Sequence, residues 1–133
     1  MGDIVKLTTL SSLFVIDGIS YVPDNTAGVR TAIAIDYDYK TTNITIPNEV
    51  NYKTITLPVT KLGANLLYGA DIGTLTISEN ITEIEKMALP SSPWFSVHFA
   101  DSEKDISMVT PIQSLYSLYI GRNIECSNGI VDI

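Results

Sequence analysis

His98 is the only histidine in this 133-residue chain, so it is the first residue to consider as a catalytic group. A Ser-His-Asp or Cys-His site needs a nucleophile beside the imidazole, and the fold would have to bring Cys126 or a serine to it. Nothing in the spacing supports this, and Cys126, whose only basic neighbour is Arg122, is better explained as an incidental loop thiol. The apolar neighbours Val97 and Phe99 should face a core, which turns His98 toward solvent on a strand. We therefore predict no catalytic residue.

The acidic segment 101–105 is the best candidate for a metal site, because three acids alternate as they do at the start of a calcium loop. The EF-hand pattern also requires glycine at its sixth position and glutamate at its twelfth, where this chain has Ile106 and Ile112. The mismatch favours a solvated acidic turn. The acids are Asp101, Glu103 and Asp105. We predict no metal site, and since no glycine-rich phosphate loop is present, no cofactor.

Two aromatic features could contribute to binding. In "DYDY" (36–39) acids and aromatics alternate, so on a strand the two tyrosines would share one face, an arrangement only faintly suggestive of sugar stacking. Trp94 and Phe95 follow Pro93 and are predicted to pack across the edge of a repeat. The alternative for them is an exposed aromatic anchor for a partner, because tryptophan is enriched at binding hot spots.

The charge and hydropathy of the chain exclude several classes of partner. The net charge is -7 and the eight basic residues are scattered, whereas binding to nucleic acid or to an anionic membrane needs clustered Lys and Arg. No apolar run approaches the roughly eighteen residues that span a bilayer, so no membrane insertion is expected. The first residues, "MGDIVKLTTLSSLFVI", make a poor signal peptide, and one cysteine cannot form an internal disulfide.

The first forty residues have the pattern of an antiparallel hairpin or meander. Asp17-Gly18 stands between two short apolar runs, which is the strongest short-range signal for a hairpin. A strand with one covered face is then predicted, because four residues share one parity: Ile33, Ile35, Tyr37 and Tyr39.

After residue 41 a repeat begins. Short apolar-x-apolar units recur at 44–46, 75–77, 97–99 and 118–120, in steps of 31, 22 and 21 residues. Flanking residues agree, since one set of four precedes its equivalents by 22 residues: Val59, Leu62, Leu66 and Leu67 precede Ile81, Ile84, Ala88 and Leu89. Self-similarity with this period is typical of leucine-rich repeats, in which each unit provides a short strand and a returning arm.

Stacked repeats predict two buried columns and parallel pairing between successive strands, about 4.8 Å apart. The first column is Ile44, Leu75, Val97 and Leu118, and the second is Ile46, Ile77, Phe99 and Ile120. The spacing of Ile81 and Ile84 and the composition of "EIEKMAL" suggest one or two helical turns in the returning arm, which Pro90 ends. The longer first interval is expected to hold an inserted hairpin around residues 50–59.

Several segments resemble the BspA-type leucine-rich repeat family. The resemblance covers about two thirds of the chain, from Thr42 to Ile124. The strand of a repeat is matched by "NITIPNEV" (43–50) and by "SLYIGRNI" (117–124). The returning arm is matched by "VTKLGANLLYGA" (59–70), and a whole copy by "TLTISENITEIEKMAL" (74–89). The N-terminal "FVIDGISYVPD" resembles the short β-cap that precedes such repeats.

The departures from the family pattern are Leu67 for phenylalanine, Ala70 for cysteine, Ser78 for proline and Glu85 for glycine. The resemblance implies a bacterial surface or secreted protein that binds proteins or glycans, often in adhesion, and it implies no catalytic residues.

We therefore expect a single domain: a right-handed, β-rich leucine-rich-repeat solenoid of about 22-residue coils (41–133) behind an N-terminal β-hairpin cap (1–40), with repeats that could continue past Ile133. The expected function is non-enzymatic binding or adhesion at the cell surface, with a protein or glycan as the partner, including one derived from a host. The alternatives are a structural spacer and a small all-β enzyme or inhibitor.

Strand alternation predicts the binding surface as two outward rows. They are Asn43, Thr74, Ser96 and Ser117, and Thr45, Thr76, His98 and Tyr119. This hypothesis names no ligand and no oligomeric state.

Overall fold

The computed structural model describes residues 13–25, 30–92, 94–112, 116–126 and 129–131, and these contain twelve β-strands and no helix. The strands are β1 (Phe14–Ile16), β2 (Ile19–Asp24), β3 (Thr31–Tyr37), β4 (Asn43–Thr45), β5 (Glu49–Tyr52), β6 (Ile55–Leu62), β7 (Thr74–Ile77), β8 (Glu83–Ile84), β9 (Ser96–Phe99), β10 (Ile106–Met108), β11 (Ser117–Ile120) and β12 (Ile124–Cys126). Within the described ranges no helix is long and apolar enough to cross a bilayer.

The strands form two sheets, and from β4 onward the chain alternates between them. One sheet, the face ladder, consists of β4, β7, β9 and β11, all paired in parallel. The other contains the back ladder, in which β6, β8, β10 and β12 also pair in parallel. Apart from β5, which lies between β4 and β6, each strand of one ladder is followed by a strand of the other, and the predicted parallel pairing is confirmed.

The back ladder replaces the predicted helical turns, so that prediction was wrong. Ile84 lies in β8 and pairs with Leu62 on one side and Met108 on the other. The backbone amide of Glu85 donates to Leu62 O at 3.0 Å, so the polar groups of this segment are satisfied by its neighbours rather than within a helix. Met87, with φ 59°, lies in a left-handed conformation that a helix cannot contain. The i, i+3 apolar spacing is compatible with this extended arc as well as with a helix.

The first three strands form an antiparallel unit, the meander, in which β1 pairs with β2 and β2 with β3. Asp17 (φ 52°) and Gly18 (φ 83°) form its first turn, and both have the positive φ of a type I′ hairpin turn, as their sequence predicts. The third strand then pairs in parallel with β6, which joins the meander to the back ladder.

The third strand is covered on both faces, and the predicted single covered face was wrong. Ala32 and Ala34 are fully buried, while Ile33 and Ile35 are half-buried against Gly63 on the other face. The small alanines allow the close packing that puts them deeper than the isoleucines. The strand also ends at a buried tyrosine, and the next one is exposed with a φ of 62°, so the prediction that Tyr37 and Tyr39 share one strand face was wrong.

The inserted hairpin is present: β5 pairs with the first half of β6 around a turn at Lys53, whose φ is 58°. The core lies between the two ladders and includes both predicted columns except at their β11 end. Ile120 is 40% exposed, and Leu118 is only half-buried, because β11 is the last strand of the described face ladder and has a neighbour on one side only.

Candidate binding face

The face ladder brings all eight predicted face residues together in two adjacent rows. Parallel pairing places Asn43 opposite Thr74, then Ser96, then Ser117. The second row runs in the same register through Thr45, Thr76, His98 and Tyr119. Six of the eight side chains are exposed, and Thr76 and Ser96 are half-buried. The rows follow directly from strand alternation, because β7 and β9 bury Leu75, Ile77, Val97 and Phe99 on the opposite side.

His98 and Tyr119 form a stacked aromatic pair, the aromatic platform, on this face. Their rings stack with centroids 4.4 Å apart and planes 10° apart. The Tyr119 hydroxyl donates a hydrogen bond to Asp101 Oδ1 at 2.6 Å, and this bond, with the charge of Asp101, raises the pKa of Tyr119 above its ordinary value. The tyrosine therefore stays protonated, and the platform presents ring surface together with an acceptor.

The first row is linked across the strands by a hydroxyl–amide bond. The Thr74 hydroxyl donates to Asn43 Oδ1 at 2.8 Å. Such a cross-strand pair fixes the side chains at the β4 end of the face, while the second row ends in the aromatic platform at the β11 end. The face therefore has a small, hydroxyl-rich end and an aromatic end.

A second pair of aromatic residues stands in the turns that lead into the face strands. Trp94 and Tyr116 are each 72% exposed, with ring centroids 6.5 Å apart and planes tilted by 46°. Phe95 lies in the core and Trp94 is exposed, so the prediction that both pack across the edge of a repeat was wrong for Trp94, whose exposure fits the alternative of an exposed aromatic. Pro93 lies outside the described residues. Sequence reasoning missed Tyr116, although it stands 22 residues after Trp94, at the repeat period.

The acidic turn at 101–105 is part of the hydrogen-bonded loops next to the face. Ser102 donates through its hydroxyl to Glu79 O at 3.1 Å, and Lys104 Nζ donates to Asn80 Oδ1 at 2.7 Å. Asp105 accepts from Asn123 Nδ2 at 3.4 Å. No group of three His, Cys, Asp or Glu side chains that could hold a metal ion occurs in the part of the chain that the structure describes.

Arg122 is a structural residue that sequence reasoning counted as one of several scattered basic residues and as the basic neighbour of Cys126. Its guanidinium is buried and donates to three main-chain carbonyls: Lys104 O at 3.0 Å from Nε, Ser78 O at 3.0 Å from Nη1 and Ile81 O at 2.6 Å from Nη2. Burial lowers the pKa of Arg122, and the charges of Asp105 and Glu79 oppose that effect. These hydrogen bonds link the turns that follow three face strands, β7, β9 and β11. No local signal in the sequence identifies that role.

Cys126 lies at the end of β12 rather than in a loop, so its predicted location was wrong. It is half-buried, and its thiol donates to Val109 O at 3.9 Å. The parallel pairing of Met108 with Cys126 places it as the next member of the back ladder.

Comparison with solved structures identifies the fold. No family model and no curated protein matches the sequence. A leucine-rich cell surface protein from Faecalibacterium prausnitzii matches 80% of this chain with a TM-score of 0.59 and 19% identity, and the chain spans 32% of its length. A leucine-rich repeat protein from Bacteroides capillosus matches 86% of the chain over 99% of its own length (TM-score 0.61, 16% identity).

The pneumococcal vaccine antigen PcpA is also similar, with a TM-score of 0.55 and 15% identity over 84% of this chain and 38% of its own. The chain therefore has the β-strand architecture of bacterial leucine-rich-repeat proteins, in agreement with its resemblance to the BspA-type repeats.

Proposed function

We propose that this chain is a non-enzymatic binding or adhesion module of a bacterial surface protein, and that it engages its partner through the face ladder. The observation that carries the proposal is the second row of the face, where the His98–Tyr119 platform stands next to the acceptor Asp101. An exposed pair of aromatic rings with adjacent hydrogen-bonding groups suits a protein surface or the apolar face of a sugar.

The architecture proposed for this module is a right-handed solenoid. Each pair of face and back strands is one coil, and the meander is the cap of the first coil. The stacking of equivalent residues in both ladders supports the coils. The antiparallel pairing of the meander, and its junction to the back ladder through β3 and β6, support the cap.

Surface localisation is part of the same proposal. One similar structure is described as a cell surface protein and another as a pneumococcal vaccine antigen. The acidic charge of the chain and its scattered basic residues suit a protein or glycan partner better than nucleic acid.

Of the two alternatives, the small all-β enzyme or inhibitor loses its main support. A sandwich would pair the strands around residues 75–77 and 97–99 antiparallel, whereas β7 and β9 pair in parallel from Thr74↔Ser96 to Ile77↔Phe99. A structural spacer is still compatible with the fold, but it gives no reason for the exposed platform.

The test uses the double variant His98→Ala/Tyr119→Ala against a matched back-ladder variant, Ser107→Ala/Glu125→Ala, whose residues are also exposed on strands. The biotinylated chain would be applied to an array of immobilised glycans and to immobilised mucin glycoprotein. We expect the face variant to weaken a detected interaction by about tenfold or more and the back variant to leave it unchanged. Equal binding by the face variant and the wild type would remove the proposed face.

A further inference from the structure

An open groove of about 350 Å³ lies at the edge of the face ladder, where β4, β7 and β9 end. Its lining includes Thr76 of the second row and three turn residues, Asn48, Glu79 and Asp101. Thr76 pairs in register with His98, and Asp101 accepts from the other ring of the aromatic platform. The groove and the platform are therefore neighbouring parts of one exposed surface.

Two exposed carboxylates supply the charge of this groove. Glu79 and Asp101 occupy equivalent places in adjacent repeats, each two residues after the end of its face strand. The Glu79 carboxylate accepts from Asn48 Nδ2 at 3.3 Å, and the Asp101 carboxylate accepts from the Tyr119 hydroxyl at 2.6 Å. Within the part of the chain that the structure describes, neither carboxylate forms an ion pair or accepts another hydrogen bond.

The basic residues of the same turns are engaged elsewhere. Lys104 Nζ donates to Asn80 Oδ1 at 2.7 Å, and the guanidinium of Arg122 donates to three main-chain carbonyls. The groove lining itself contains no lysine or arginine among the described residues. The chain therefore leaves the negative charge of the groove without a cation in contact with it.

Asp101 is held beside the platform by two features. The Tyr119 hydroxyl binds its Oδ1, and Gly121 lies directly against it. A Cβ added at Gly121 would lie 2.8 Å from the Asp101 amide nitrogen and would overlap the Asp101 carboxylate. A residue without a side chain at this position leaves room for the carboxylate next to the exposed ring, so the anion is preorganised beside aromatic surface.

These groups restrict the charge of a partner. A partner that covers the groove removes water from both carboxylates, and this costs free energy unless an opposite charge compensates for it. An anionic group would add repulsion in a chain whose net charge is -7, and a neutral sugar would leave both charges uncompensated. A guanidinium has five N–H donors and no acceptor, which suits two carboxylates, and its plane stacks on aromatic rings.

We propose that the groove beside the aromatic platform takes an arginine side chain from the surface of a partner protein. The guanidinium pairs with Glu79 and Asp101 and packs against the rings of His98 and Tyr119. This inference rests on the proposed function, because it uses the face ladder as the binding surface, and it selects a protein with a basic surface over a glycan.

The test is an NMR titration of the labelled chain at neutral pH. His98 is the only histidine, so its ring signals report on the face without ambiguity. The probe is N-acetyl-arginine methylamide, and its uncharged isostere N-acetyl-citrulline methylamide is the matched control. N-acetyl-D-glucosamine and calcium chloride are the other comparison probes. We expect saturable shifts of the His98 signals with the arginine probe, weakened by high salt, and none with the other three.

Two double variants separate a local effect from a change in net charge. Glu79→Gln/Asp101→Asn removes both charges of the groove and keeps an oxygen that can accept from the Tyr119 hydroxyl. Its Kd for the arginine probe should rise about fivefold or more. Glu83→Gln/Glu125→Gln removes the same charge from exposed positions of the back ladder, so its Kd should equal that of the wild type.

Four results would overturn the inference. They are an absence of His98 shifts with the arginine probe, an equal response to the citrulline probe or the sugar, saturation by calcium in place of arginine, and equal Kd values in the two double variants. Failure of the arginine probe alone leaves the face-ladder proposal standing, because that proposal is tested with His98→Ala/Tyr119→Ala on array and mucin partners. Binding of those partners unchanged in that variant would remove the face itself.

Discussion

The face ladder and the back ladder share one repeat but carry different surfaces. On the face ladder the outward positions are hydroxyls, an amide and stacked rings, with Asp101 as the nearest acid. On the back ladder Lys61 stands between Glu83 at 3.5 Å and Glu85 at 4.0 Å, and a hairpin covers part of β6. Both surfaces rest on the same core, so their difference shows that outward residues are free of the packing constraint that maintains the repeat. We therefore propose that binding occurs on the ladder whose exposed residues include aromatic groups.

The largest effect is expected from the shared core on the face side. Phe99 is fully buried in β9, between two face strands, and Phe99→Ala should destabilise the fold by about 3–5 kcal/mol because it leaves a cavity. Ile120 is the last member of the same column and 40% exposed, so Ile120→Ala should cost less than about 1 kcal/mol. Urea unfolding followed by circular dichroism measures both. Similar losses in the two variants would contradict the stacked-column account.

The second effect concerns the turns that join the two ladders. Arg122→Met should destabilise the chain by about 2–3 kcal/mol, because the buried carbonyls of Ser78, Ile81 and Lys104 lose a charged donor. Arg122→Lys restores the charge but not the planar fork, so less than half of that loss should be recovered. Thermal unfolding of the two variants tests this. Full rescue by lysine would show that charge, rather than the three-carbonyl geometry, is what matters.

A smaller loss of stability is expected from replacing a turn glycine by alanine, and it should be greater in the meander turn than in a turn of the repeat region. Gly18 has a φ of 83°, and an added Cβ would lie 2.8 Å from the Asp38 carboxylate, so Gly18→Ala combines backbone strain with a contact that the side chain must relieve. Gly69 has a φ of 76° and no neighbour within 4 Å of an added Cβ. Gly69→Ala should cost about 1 kcal/mol and Gly18→Ala about 1 kcal/mol more. Equal changes in the urea midpoint would show that the Asp38 contact is easily relieved.

The smallest effect is expected at the charged centre of the back ladder. Lys61→Ala removes a partly exposed ion pair and should change the free energy of unfolding by less than about 1 kcal/mol, with the difference decreasing in high salt. His98→Ala on the face ladder should also leave stability nearly unchanged, but it should weaken binding. A large salt-insensitive loss from Lys61→Ala would mean that the back ladder depends on this ion pair.

The rows of the face could be predicted because a strand alternates strictly and the repeat keeps its step from 75 to 118. Each outward residue, such as Thr76 or His98, is fixed by the parity of its apolar neighbours and by the next copy. The returning arm could not be predicted in the same way. Ile81 and Ile84 have a spacing that fits both a helical turn and an extended arc, and the choice is made by pairing with Leu62 and Met108 in adjacent repeats.

Long-range contacts explain the other differences. The second covered face of β3 was missed because Ile33 packs on one face while Ala32 is buried on the other, next to β6. The carbonyl partners of the buried Arg122 guanidinium come from residues that are far apart in the chain. The resemblance to a repeat family identified the leucine-rich-repeat architecture but carries no information about these positions.

The central claim is that the face ladder, rather than the back ladder, contacts the partner. Hydroxyl-radical footprinting of the chain with and without a partner found on the glycan array or mucin surface tests it most directly, since each side carries exposed side chains that report on it alone. The account predicts protection of Trp94, Tyr116 and Tyr119, while Val109, which is exposed directly after β10 of the back ladder, is unchanged. Protection of Val109 with unchanged face aromatics would contradict it.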